Sequence, residues 1–194
     1  MLSNLVSEEE EAAPAINSVN LIWVGLALII MVAAIESRSI WFLNFVHVIC
    51  GVLWTGIDLF MGFVMGPILR RVPFAVRRAI VCRLMPKMLF LMPTLAVITG
   101  TVGYFLAQRI GYLGLGYSAF GWVVAALAIV TVLTVQGLGL LLPINLRVYF
   151  ELRKPHPDGA RIGRLMRVYV KAVAFQGVMQ IAILAVMARF VAGF

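Results

Sequence analysis

Two ionisable side chains, His47 and Asp58, stand inside the apolar run from Ile40 to Leu69. A neutral imidazole is a favoured ligand for a metal or a haem iron. An ionisable group at membrane depth points by default to a functional path or site. At about 100° per helical residue, Asn44, His47, Gly51, Thr55, Asp58, Gly62, Met65 and Gly66 fall in one stripe, with Trp54 at its border. A polar side chain facing lipid costs several kcal/mol, so the stripe should face other helices or an internal cavity. Its glycines, including the small-xxx-small pair Gly62 and Gly66, would let a neighbouring backbone come close.

His47 and Asp58 lie eleven residues apart, roughly 16 Å along a helix axis. They cannot pair with each other, so each needs partners on other segments. Matching depths places Thr99, Thr101 and Met187 near His47, and Gln136 and Gln176 near Asp58, with Gln180 close by. Two polar layers are therefore expected inside the bundle. Interhelical hydrogen bonding would account for the glutamines and threonines, which commonly hold membrane helices together. For His47 and Asp58 a functional role stands beside that structural one.

Other residues carry weaker chemistry. Met85, Met88 and Met92 form a stripe that continues to Thr99 and Gly103. Thioethers suit Cu(I), yet such a stripe equally serves packing. Pro93 and Pro143 lie within apolar runs, where each frees a carbonyl and favours a kink that could shape a cavity. His156, between two prolines, reads as a solvated loop residue, and Cys50 and Cys82 make no disulfide framework.

The elements that must position these residues are membrane spans. Hydrophobic residues make up 63% of the 194 positions and charged residues 12%, about half the charged share of a soluble domain. Apolar runs at about 19–35, 40–69, 84–107, 118–146 and 168–194 are each long enough to cross a bilayer core, for which roughly 20 helical residues suffice. The fourth continues as a polar helical extension through Tyr149, Glu151 and Arg153. The fold class is all-α, an integral membrane bundle of about five transmembrane helices. Residues 1–18 form an acidic tail with Glu8 to Glu11 and no basic residue, unlike a signal peptide, and residues 19–194 form a single bundle.

The net charge of +8 has a topological explanation and implies no nucleic-acid partner. All but three of the 16 Lys and Arg residues fall at the loops after the second and fourth runs; Arg38, Arg109 and Arg189 lie at the opposite ends. The positive-inside rule then places both rich loops and the N-terminus in the cytoplasm, in a multi-pass protein of the plasma (bacterial inner) membrane. Trp41, Tyr112 and Tyr117 fall at the outer boundary.

His47, Trp54, Gly56 and Pro67 fit the pattern His-x6-Trp-x-Gly-x10-Pro, and Thr99–Gly100 follows after a basic loop. Over roughly residues 40–106 this resembles CopD-type copper-resistance membrane domains. It is also similar to HemJ-type protoporphyrinogen oxidases and to the membrane part of urate-oxidase-like proteins. The resemblance implies a bundle whose motif histidine, His47, faces inward and holds haem b or handles copper. The second intramembrane histidine of the haem oxidases is missing; Gln136 occupies a comparable stretch.

Three functions follow as expectations. In the first the protein binds haem b and is redox-linked, with His47 as ligand, the iron either five-coordinate or with Met187 as sixth ligand, and Thr99 and Asp58 contributing to the site. In the second it passes copper along His47, Cys50, Met61, Met65 and the third-run methionines. In the third it is a non-catalytic subunit of a larger membrane assembly, partnered by lipid and by other membrane subunits.

Overall fold

A computed structural model describes residues 19–114 and 116–193, with the side chains of 117–119 left out. The acidic tail lies outside the described residues. The architecture is all-α, with five helices long and apolar enough to be membrane spans and no strand among the described residues. Helix α1 is Val19–Glu36, α2 is Ile40–Arg71, α3 is Phe74–Arg109 and α5 is Gly159–Ala192. Helix α4 runs through Tyr117–Gln136, Gly137–Leu141 and Leu142–Leu152 without a break. This is a polytopic helical membrane protein.

Two of the helices begin well before the apolar runs that announced them. Helix α3 starts at Phe74 rather than near Leu84, and α5 at Gly159 rather than Val168. Hydropathy senses only the lipid-facing part of a helix, whereas arginine and lysine are good helix formers. Arg77, Arg78 and Arg83 therefore ride on the first turns of α3 rather than in a loop, and the α2–α3 link is only Val72–Pro73. Capping marks the starts of α2 and α5. The Ser39 hydroxyl accepts from the Phe42 amide at 3.2 Å, and an Asp158 carboxylate oxygen accepts from the Arg161 amide at 3.0 Å.

Packing divides the bundle into two groups. Helices α1, α2 and α3 meet in a core of Ala34, Leu43, Val46, Ile98 and Val102. Helix α4 packs along α5. The groups join in a mid-bundle core of Trp54, Leu95, Ala96 and Leu133 and at the arginine-rich end, where Cys82 of α3 packs with Ile144, Val148 and Leu152 of α4 and with Leu165 and Met166 of α5. There Arg78 donates from Nε to the Leu152 carbonyl at 2.8 Å and from Nη2 to the Lys154 carbonyl at 3.3 Å, closing the end of α4. The α4–α5 link is tied down by Glu151, only 4% exposed, which accepts from Lys154 at 2.9 Å and faces Arg161 at 3.3 Å. At the opposite end an Arg109 guanidinium N–H donates to the Ile35 carbonyl and fastens α3 to α1.

Both α2 and α4 are interrupted by one π-turn, Met61–Met65 and Gly137–Leu141. Each turn lies just ahead of a proline, Pro67 or Pro143. Proline has no N–H to give and its ring collides with the carbonyl four residues back. Widening the turn removes the collision, so that the Gly66 amide donates to the Met61 carbonyl and the Leu142 amide to the Gly137 carbonyl. Pro86 and Pro93, by contrast, are carried within a continuous α3.

Candidate functional site

Two polar layers do form, and they differ in kind. In the first, His47 of α2 packs against α3. Its Nδ1 is 3.0 Å from the Thr99 carbonyl oxygen. A carbonyl only accepts, so the ring proton is on Nδ1 and the Nε2 lone pair is left free. The imidazole lies against Gly103, where a Cβ would stand 2.6 Å from His47 Cε1 and 2.8 Å from Nδ1. Only glycine leaves room for the ring there. One turn further along α2, a Cβ on Gly51 would make an ordinary 3.5 Å contact with the Thr99 methyl, so α2 and α3 run close together over this stretch. The Thr99 hydroxyl is buried and has no partner among the described residues.

The second layer centres on Asp58. Its Oδ2 accepts from Gln176 Nε2 at 2.5 Å and from Gln180 Nε2 at 2.6 Å. Two donors thus hold a carboxyl group at membrane depth, where one without partners would be costly. The two glutamines are 3% and 1% exposed, and their Oε1 atoms have no partner among the described residues. This knot ties α2 to α5.

Below the knot, between the two helix groups, is a cleft of about 590 Å³. Trp54, Asp58, Gln176 and Gln180 close its inner end. Its walls are apolar and include Met61, Met85, Met88 and Met92, together with both π-turns. Arg70, Arg77 and Arg78 line its other end, with Asp58 as the only acidic residue among its described lining. Asn145 and Tyr169 also face it.

Several expectations change at this level of detail. His47 and Thr99 come together, but through the backbone carbonyl of Thr99. Thr101 lines a separate shallow hollow with Tyr104 and Thr134. Met187 is half-buried on α5 and takes no part in the His47 hydrogen bond. Gln136 does not join Asp58; it donates to the Ala172 carbonyl at 2.5 Å and links α4 to α5. Asn44 is exposed instead of inward-facing. It lies about one turn from the start of α2, where the polar membrane boundary can satisfy an amide. His47 is absent from the lining of the cleft, so the two ionisable residues serve different compartments.

The cleft, with Asn145 and Tyr169 on its wall, went unread in the sequence. Its signal was the pair of glycine-bearing segments that end in proline, Gly62-Phe-Val-Met-Gly-Pro67 and Gly137-Leu-Gly-Leu-Leu-Leu-Pro143, since interrupted helices in membranes tend to border binding sites. Among the described residues no three His, Cys, Asp or Glu side chains cluster to hold a metal ion. Any metal at His47 would rest on one imidazole plus ligands of other chemistry. No protein-family model, curated protein or solved structure matches this chain.

Proposed function

We propose that this multi-pass membrane protein binds haem b and is redox-linked, with His47 as the principal ligand of the iron. The observation that carries the reading is the His47 seat. Metal-ligating histidines usually donate their other ring N–H to a carbonyl or carboxylate, which fixes the tautomer and aims the free nitrogen. His47 does this through Nδ1 to Thr99, with Gly103 giving the ring its place. Thr99 then acts as a positioning residue, and Met187 is the candidate second ligand. Haem with a His/Met pair supplies one-electron chemistry at a raised potential. Asp58 stands too far along α2 to share an atom with His47, and its part is to bind the two helix groups together.

Copper handling is the second reading, favoured by the five methionine thioethers that line one cleft. One experiment separates the possibilities: absorption spectra of the detergent-purified protein, oxidised and dithionite-reduced, with metal analysis alongside. A Soret band that is lost in His47→Ala and kept in His156→Ala supports haem at His47. Bound copper without that band selects the second reading. Neither signal leaves a subunit of a larger membrane assembly, docked through its small-residue faces, and overturns the cofactor reading. The proposed setting is the plasma (bacterial inner) membrane with the arginine-rich end in the cytoplasm. Cysteine reporters at Ser37 or Gly114 should then be labelled from outside intact cells, and those at Ala75 or Gly159 should not.

A further inference from the structure

The cleft asks for an occupant that is apolar along most of its length and negatively charged at one end. Three arginines against one aspartate line it, and the charges are segregated. Arg78 is committed to the carbonyls of Leu152 and Lys154. The Arg77 guanidinium lies over the Phe74 ring, 5.7 Å from its centre, and among the described residues neither Arg77 nor the exposed Arg70 has an acidic partner. At the other end the Asp58 carboxylate is already held by the two glutamines. The inner end is therefore a closed polar stop, and the unspent charge is positive and sits at the membrane boundary.

Dimensions narrow the occupant. Arg70 and Asp58 are twelve residues apart on α2, roughly 18 Å at the helical rise. That is close to half of a bilayer core of about 30 Å, the depth one acyl chain reaches from its headgroup. A volume of about 590 Å³ lies within the range of ligand pockets, and the flexible methionines of its walls adapt to a chain of variable shape. Basic pockets between membrane helices suit anionic headgroups.

We propose that the cleft seats one acyl chain of an anionic membrane phospholipid, with its phosphate between Arg70 and Arg77. The lipid acts as a wedge that completes the inner half of the bundle between the α1–α2–α3 group and the α4–α5 pair. The site is separate from the His47 seat and does not depend on what binds there.

Trp54 gives the test a reporter. It is 6% exposed and lines the cleft, whereas Trp23, Trp41 and Trp122 are 67%, 74% and 40% exposed. With those three replaced by Phe, the full-length protein is reconstituted in vesicles of phosphatidylcholine carrying a fixed fraction of chain-brominated phosphatidylglycerol or chain-brominated phosphatidylcholine. Trp54 fluorescence should be quenched at least twofold more by the brominated anionic lipid. The Arg70→Gln/Arg77→Gln variant should lose that preference, and Arg71→Gln, at an exposed residue outside the cleft, should keep it. Equal quenching by the two lipids, or none, overturns the proposal. So does quenching by a brominated fatty acid alone, which would make the occupant a free amphiphile. Trp54 protected from every lipid, together with a cross-linked dimer, would assign the cleft to a second copy of the chain.

Discussion

The His47 seat and the Asp58 cleft both place an ionisable side chain on one face of α2, yet they are built in opposite ways. At His47 the neighbouring helix comes so close that a single missing methyl group, at Gly103, makes the space for the ring. At Asp58 two amide side chains from α5, in the other helix group, hold the carboxylate at the end of a cleft. In the first layer the polar group is fixed by a backbone carbonyl and keeps one nitrogen free. In the second it is fixed by side chains and stops a cavity. Depth alone marked both residues as unusual; what surrounds each one separates a candidate ligand from a closure.

The largest effect should come from crowding the first layer. Gly103→Leu puts side-chain carbon where the imidazole lies, and the resulting overpacking costs about 1–3 kcal/mol. Any haem or copper signal that depends on His47 should vanish as fully as in His47→Ala, while Trp54 quenching in the cleft stays as it was. A Gly103→Leu protein with an intact signal would show that the seat does not position the ligand.

Emptying the second layer is next. Asp58→Leu removes the acceptor of two buried amides, each a loss of about 1–3 kcal/mol, so thermal unfolding in detergent should move clearly downward. Asp58→Asn, which keeps an acceptor oxygen, should recover part of the loss. Both should leave the His47-dependent signal unchanged; a lost signal in Asp58→Asn would mean that the layers are coupled.

Smaller effects distinguish the caps that serve the two regions. Ser39→Ala at the start of α2 should cost about 1 kcal/mol, read as a lower unfolding temperature. At the start of α5 the Arg161 amide donates to Asp158 and holds its carboxyl below the usual carboxylate range. A carboxyl whose folded value is depressed stabilises the protein above its unfolded value, and that contribution is lost as pH falls through the folded value. Thermal stability should therefore fall as pH drops below about 4, and Asp158→Ala should flatten that part of the profile. Asn44→Leu should change stability by no more than about 0.5 kcal/mol, because the amide is exposed; a large loss would restore it to the inward face.

The five spans were legible because bilayer thickness demands long apolar runs. The partners of His47 and Asp58 were legible in part, because antiparallel spans of known ends place residues at comparable depths. Thr99, Gln176 and Gln180 came out correctly as neighbours. Depth says nothing of azimuth, however, so Gln136, level with Asp58, points to the Ala172 carbonyl instead. Hydropathy also missed the first turns of α3 and α5, and two arginines on those of α3, Arg77 and Arg78, place charge at the cleft mouth. The cleft itself depends on how two groups of helices stand apart, a property that no single helix carries.

Each π-turn has one further consequence, a shift of phase. It accommodates one residue more than the α-helical turn it replaces, so the two ends of α2 belong to different angular series. A wheel drawn at a constant 100° holds from His47 to Asp58 but no longer applies past Met61, which is where it placed Met65 on the inward stripe. Were α2 to close into an uninterrupted α-helix with all its residues kept, everything beyond the turn would rotate by about 100° and advance by about 1.5 Å. Arg70 would swing off the cleft while every residue from Ile40 to Phe60 kept its place.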